Sequence, residues 1–146
     1  MHILNINSSL DPISGGGTAE RTVQMSTYLA IEKDIEVSIL SLDIGLTDSV
    51  KENLYNINLI TIPCINKRFL VPTIFNHKIS DSIKNADIIH LMSHWTIINL
   101  ISFYWIRKYK KPYVVCPAGA LPIFGRSKIL KKIYNLVGGS SCIKNA

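Results

Sequence analysis

After Asp87 the sequence contains no acidic residue. Residues 88–146 carry nine bases: Arg107, Lys108, Lys110, Lys111, Arg126, Lys128, Lys131, Lys132 and Lys144. Residues 1–87 hold all 10 acids against seven bases, so the formal charge of +6 hides a mildly acidic front and a strongly basic back. A field of one sign favours an anionic partner on that side: phospholipid headgroups, a phosphorylated substrate or nucleic acid. A solvated basic face on a Lys- and Ile-rich chain explains the same asymmetry. Cysteine is scarce. Cys64, Cys116 and Cys142 lie far apart with no CxxC, which excludes a disulfide framework and a cysteine zinc site and points to a reducing compartment. Long apolar runs are missing as well. The longest, Thr96 to Ile106, is interrupted by Asn99 and Ser102 and falls short of the roughly 20 residues that span a bilayer. Met1–Asn7 is too short for a signal-peptide core and runs into a polar loop. A soluble, cytoplasmic chain is the expectation.

With 47% apolar and 18% charged residues over 146 positions, the composition is that of one globular domain. Short β-branched runs alternate with longer amphipathic ones. The strands are expected at His2–Asn7, Glu36–Leu42, Ile57–Ile62, Ala86–Met92 and Tyr113–Cys116. The helices are expected at Ala19–Glu32, Thr47–Leu54, Pro72–Asn85, Trp95–Tyr109 and Ser127–Val137. Thr18 suits the first helix as its cap, and Val23, Met25, Tyr28, Leu29 and Ile31 form its apolar stripe. The last helix is basic, with Ile129, Leu130, Ile133, Tyr134 and Leu136 on its apolar side, and Gly138-Gly139 reads as its end. Strands separated by helices imply right-handed crossovers. The fold class is therefore α/β: a Rossmann-like parallel sheet with helices on both faces. The chain reads as a single domain over 1–146, incomplete at its C-terminal end, because it stops where a further strand is due.

Ligands of parallel sheets sit beyond the carboxyl ends of the strands. Those ends are the loops Ser8–Gly17, Pro63–Val71, Ser93–Trp95 and Pro117–Arg126. In the first, Gly15, Gly16, Gly17 and Thr18 join a strand to a helix. Missing Cβ atoms let a ligand approach the backbone, and the free amides of a helix start attract phosphate; a plain turn would look the same. The loop is no P-loop, having no Gly-Lys-Ser/Thr, and it fails GxGxxG. Ser93, His94 and Trp95 end the fourth strand, where imidazole can hydrogen-bond a hydroxyl and indole can stack on a sugar or base. Equally, His94 and Trp95 fit a structural role. His90 reads as a hydrogen-bonded core histidine and Cys116 as a small buried hydrophobe. His2 and His77 have no acidic pattern around them, so no metal is expected.

These motifs in succession resemble family 4 glycosyltransferases of the GT-B fold. Met-His-Ile-Leu-Asn-Ile-Asn with its glycine loop is similar to the family's opening, and Ala86–His90 with Ser93-His94-Trp95 to its fourth strand and loop. Lys111-Pro112-Tyr113-Val114-Val115-Cys116-Pro117-Ala118-Gly119-Ala120-Leu121 is similar to a segment of its polysaccharide-building members, and Lys131-Lys132-Ile133-Tyr134 to the helix after it. The resemblance implies the amino-terminal, acceptor-side domain of a retaining transferase that needs no metal. It implies a nucleotide-sugar as co-substrate and a glycan or lipid-linked glycan as acceptor, with no nucleic acid. A second domain or chain would carry the donor site with its Glu-x7-Glu signature. Glycines 15–17 and Thr18 would lie near the donor phosphates, and Ser93, Trp95, Ala118 and Gly119 would line the acceptor cleft. Where members carry His or Arg after strand five, this sequence has Ala118; His94 is then the candidate catalytic group, or the Gly119 N–H substitutes. Lys108, Lys110, Lys111, Lys128, Lys131 and Lys132 would meet anionic headgroups on the inner face of a membrane, each worth about 1 kcal/mol. Two other readings stay open: a dinucleotide-dependent oxidoreductase using Asp43 at the end of strand two, and a non-catalytic α/β module docking on a partner.

Overall fold

A computed structural model describes residues 1–73, 77–123 and 127–146. The elements are β1 (His2–Asn7), α1 (Gly16–Leu29), β2 (Glu36–Leu42), α2 (Asp48–Glu52), β3 (Asn58–Ile62), β4 (Cys64–Asn66) and β5 (Val71–Pro72). There follow α3 (His77–Asn85), β6 (Ile88–Met92), α4 (Ile97–Tyr109), β7 (Tyr113–Cys116), α5 (Lys128–Tyr134) and α6 (Ser140–Lys144), the last two joined by a π-helical turn, Asn135–Gly139. Five strands form one parallel sheet in the order β3-β2-β1-β6-β7. This is the Rossmann-like arrangement expected from the alternating pattern. The crossover from β3 back to β6, beside β1, makes the ends of β1 and β6 the place where strand order reverses.

Strand periodicity explains the layering. Alternate residues point to opposite faces, so Leu4, Ile6, Leu40, Leu42, Ile89 and Leu91 meet Ile79 and Ile83 of α3 and Ile98, Phe103 and Ile106 of α4. On the other face Val37 and Ile39 meet Val23 and Leu29 of α1 and Val50 of α2. Each fully buried aliphatic side chain contributes about 1.5–3 kcal/mol of transfer free energy. Helices therefore cover both faces.

The details depart from the pattern in four places. First, α1 begins three residues early: Gly15 is its N-cap, and Thr18 lies inside the first turn with its hydroxyl donating to the Gly15 carbonyl at 2.8 Å. The Gly15 N–H donates to the Asp11 carbonyl, which starts the helical winding before Thr18 can cap it. Second, the face that α1 buries is Ala19, Thr22 and Ser26, while Tyr28 and Ile31 of the apolar stripe are exposed. Polar β1 residues select that face. Asn5 donates to the Ser26 hydroxyl at 2.8 Å, and Asn7 donates to the Thr22 hydroxyl at 2.9 Å and to the Thr18 carbonyl at 3.0 Å. Third, β4 and β5 form a small antiparallel ribbon where no strand was expected, and Pro72, expected to open the third helix, belongs to β5. Residues 74–76 of the expected Pro72–Asn85 helix lie outside the described residues, as do residues 124–126, Arg126 included.

Fourth, the last expected helix does end in a kink at Gly138, as the glycine pair suggests, but a further short helix follows it. Gly138 takes φ 154°, a value glycine reaches without strain, and the chain turns there and continues into α6. Cys142 of α6 joins the core, and the Tyr113 hydroxyl donates to its carbonyl at 2.7 Å. The apolar side of α5 is not buried: Ile129, Leu130, Ile133, Leu136 and Val137 are all exposed. Only its Tyr134 edge packs inward.

Candidate functional site

The parallel topology places the β1–α1, β6–α4 and β7–α5 loops at one edge of the sheet. Because β1 and β6 are neighbours, with Ile6 opposite Leu91, the glycine loop and the His-Trp loop leave adjacent strands. Asp11 organises the first of these. Its carboxylate accepts the N–H groups of Ile13 and Ser14 at 3.1 and 3.0 Å; the Ser14 side chain first, then these two backbone bonds, hold its pKa below the usual carboxylate value.

The three glycines are not equivalent. A Cβ on Gly15 would sit 2.7–2.9 Å from the Ala19 side chain and the Asp11 and Ser9 carbonyls, so Gly15 serves packing. A Cβ on Gly16 or Gly17 would meet nothing within 4 Å. Gly16, at φ 52°, is left-handed, whereas Gly17 needs no special backbone. Among the described residues, the first-turn amides of Gly16, Gly17 and Thr18 have no backbone acceptor. Together they form an amide-lined helix start, suited to an oxyanion.

The β6–α4 loop turns on Ser93, at φ 68°, whose N–H donates to the Cys116 carbonyl at 2.8 Å. Asn99, one of the residues that interrupt the apolar run, ties α4 to this turn by donating to the Met92 and Ser93 carbonyls at 3.1 and 3.2 Å. Among the described residues its Oδ1 is buried without a partner, as are the hydroxyls of Thr96 and Ser102. Sequence reading gave these three no role; the signal was polar residues inside an otherwise apolar helix.

His94 is only 3% exposed. Its ring lies edge-on to Trp95 at 4.5 Å and to Tyr134 at 5.1 Å. Desolvation holds its pKa below the ordinary histidine value, against the opposing pull of Asn135. The imidazole is roofed by Tyr134 of α5, and its lowered pKa favours the neutral ring. The Trp95 indole N–H donates to the Ala120 carbonyl, which fastens the β6–α4 loop to the β7–α5 loop. In that second loop Ala118 and Gly119 are exposed, at φ 50° and 76°. The structure thus joins Ser93, His94, Trp95 and the Ala118–Ala120 turn into one rim, with Gly16–Thr18 at the same sheet edge.

Tyr134 is the residue that sequence reading left on an apolar stripe. Its ring stacks edge-on against Trp95 at 5.4 Å, and a Cβ on Gly139 would come within 2.3 Å of it. Glycine is required there. Gly139→Ala is expected to displace the ring and cost about 1–3 kcal/mol of stability, with loss of near-ultraviolet circular dichroism from the His94–Trp95–Tyr134 cluster. Unchanged denaturation and unchanged aromatic spectra would refute this.

The lysines divide. Lys111 donates to the Ala86 carbonyl at 2.8 Å, so its charge serves the fold. Lys108 lies 4.6 Å over the Trp105 ring and Lys131 5.2 Å over Trp95. Lys110 is the left-handed C-cap of α4, while Lys128 and Lys132 are exposed on α5. Among the described residues no three His, Cys, Asp or Glu side chains converge to hold a metal, and no helix is long and apolar enough to cross a membrane. Asp43, which a dinucleotide ribose would require, accepts the Cys64 N–H at 2.8 Å. His90 donates from Nδ1 to the Asn5 Oδ1 at 3.2 Å, a core role, and Cys116 is half-buried. Compared with known proteins, the chain matches no family model, no curated protein and no solved structure.

Proposed function

We propose that this chain is the acceptor-side domain of a retaining, metal-independent glycosyltransferase of family 4 type, working with a donor-binding domain or chain of the GT-B kind. The observation that carries the reading is the pairing of two features on one sheet edge. An open helix start, Gly16–Thr18, offers amides to a diphosphate. The rim of Ser93, Trp95, Ala118 and Gly119 offers an indole and turn backbone suited to a sugar face. A nucleotide-sugar is the co-substrate, and a glycan or lipid-linked glycan is the acceptor, as in polysaccharide synthesis on the cytoplasmic side of a membrane. His94 is the candidate catalytic group. Held neutral by desolvation, it can accept a proton or a hydrogen bond from an acceptor hydroxyl once α5 uncovers it. Gly119 is the alternative donor to the reacting sugar.

Gly17→Ala separates ligand binding from folding. Alanine fits the helix start, so thermal stability without ligand is expected to stay within about 0.5 kcal/mol. The added methyl crowds the approach of a ligand to the Gly17 backbone. UDP and inorganic pyrophosphate are expected to raise the melting temperature of the unsubstituted chain, NAD to leave it unchanged, and Gly17→Ala to abolish the shift. Stabilisation by NAD alone, or equal shifts in both proteins, would overturn the reading.

A further inference from the structure

The last three helices are anchored unequally. Helix α4 buries Ile98, Asn99, Ser102, Phe103 and Ile106. Helix α6 is pinned by Cys142 in the core and by the Tyr113 hydroxyl on the Cys142 carbonyl. Of the described residues of α5, none is buried. Its aliphatic side turns to solvent, with Ile129 75% exposed and Leu130 and Ile133 about as open as a surface residue, so apolar burial, the usual anchor of a helix in a protein, is missing there. Inward it presents Tyr134, edge-on to His94 and Trp95, and Lys131 over the Trp95 ring. Both of its ends turn on unusual backbone. Ser127 precedes it at φ 64°, a left-handed conformation that strains any residue with a Cβ and that gathers at switch regions. At the other end the π turn carries Gly138 at φ 154°, and π turns recur at functional positions of helices. A short helix without an apolar anchor, bounded by two such residues, belongs to the part of a fold that opens locally.

We propose that α5 is a hinged lid over His94, latched by the Tyr134 ring and pivoting at Ser127 and Gly138 while α4 and α6 stay docked. Closed, it leaves the imidazole 3% exposed, so a ligand reaches that ring only when the lid lifts. Lifting separates Tyr134 and Lys131 from the Trp95 indole, and one movement uncovers both the imidazole and the indole face. A ligand that contacts His94 therefore selects the open state, and its apparent affinity falls with the fraction of molecules that are closed. As a gate on sugar transfer the lid rests on the function proposed above. As a movement it is read without sugar or nucleotide, so either reading can fail while the other stands.

Carbethoxylation of the full chain by diethyl pyrocarbonate, read residue by residue by mass spectrometry, tests it. In the unsubstituted chain His94 is expected to react under native conditions despite its burial, at a rate that low urea leaves unchanged, because a local opening exposes little new surface. His90, hydrogen-bonded to Asn5 within the sheet, reports global unfolding instead. Tyr134→Ala removes the latch and is expected to speed His94 at least tenfold without speeding His90. Gly138→Ala is expected to speed His94 as well. A Cβ there meets only ordinary contacts, Leu100 at 3.6 Å and Phe103 at 3.9 Å, but alanine disfavours φ 154° and with it the closed lid. Tyr134→Phe keeps the ring and is expected to stay within about twofold of the unsubstituted chain. The proposal is overturned if His94 of the unsubstituted chain reacts only in step with His90 as urea rises, a result that needs no variant to fold. It is also overturned if His94 ignores Tyr134→Ala or Gly138→Ala, or if Tyr134→Phe reacts as fast as Tyr134→Ala.

Discussion

Asn5→Ala is expected to cost the fold about 2–4 kcal/mol, although it removes neither an aliphatic core residue nor an ion pair. The Asn5 side chain has no exposure and links three elements: its amide donates to Ser26 on α1 and its carbonyl accepts from His90 on β6. Removing it leaves the Ser26 hydroxyl and the His90 Nδ1–H without that partner at the seams of β1 with α1 and β6. Each buried polar group left unsatisfied costs about 1–3 kcal/mol. The same reasoning predicts a recovery. Asn5→Leu together with Ser26→Ala and His90→Leu removes the orphans along with their partner and is expected to return most of the lost stability. Urea denaturation of the single and combined variants measures the coupling directly. A loss below about 0.5 kcal/mol for Asn5→Ala would show that α1 is held by something other than this seam.

The second large effect is a pH dependence carried by two histidines. His90 is held below the ordinary value of 6.5 by burial and, secondarily, by the Arg21 charge. His94 is held below it by burial, opposed by Asn135. A folded-state pKa below the unfolded value means that unfolding takes up protons. Stability from both groups is therefore whole above about pH 6.5, is lost as pH falls through the unfolded value, and stops declining once pH passes below the folded values. Melting temperature is expected to drop between pH 7 and pH 5. Calorimetry in buffers of different ionisation enthalpy is expected to show proton uptake on unfolding at pH 6, reduced by His90→Gln and again by His94→Gln. A flat profile over that window, or proton release, would contradict the burial of both rings. Asp11 and Asp87, both held low by backbone hydrogen bonds among their partners, act only at more acidic pH, where their protonation removes a separate increment.

The architecture was legible because strands and helices of ordinary length leave periodic signatures. His2–Asn7, Glu36–Leu42 and Tyr113–Cys116 appear with the bounds their apolar runs suggest, and the parallel order follows from crossover handedness. That order also placed the glycine and His-Trp loops on a common edge. Elements too short for periodicity escaped: three residues of β4 and two of β5 carry no pattern. Helix α1 misled for a different reason. Its apolar stripe is real, but two asparagines on β1 recruit the Thr22 and Ser26 side instead, a pairing visible only once the elements face each other. Gly138-Gly139 marked the helix end correctly, since Gly138 is non-helical, but no periodicity announced the five residues of α6 beyond it; the Tyr134 ring over Gly139 shows why a small residue is needed there. The enclosure of His94 depends on Tyr134 and Asn135, far downstream, so no local reading of Ser93-His94-Trp95 could reveal it.

The indole clasp between Trp95 and Ala120 gives the molecule a built-in optical gauge. Of its two tryptophans, Trp105 stacks on Tyr109 along α4, whereas Trp95 spans the seam between two loops and touches His94, Tyr134 and Lys131. Whatever pries those loops apart must break the indole's bond and change the polarity around a chromophore. Opening of the rim is thereby written into the colour of the protein's own emission.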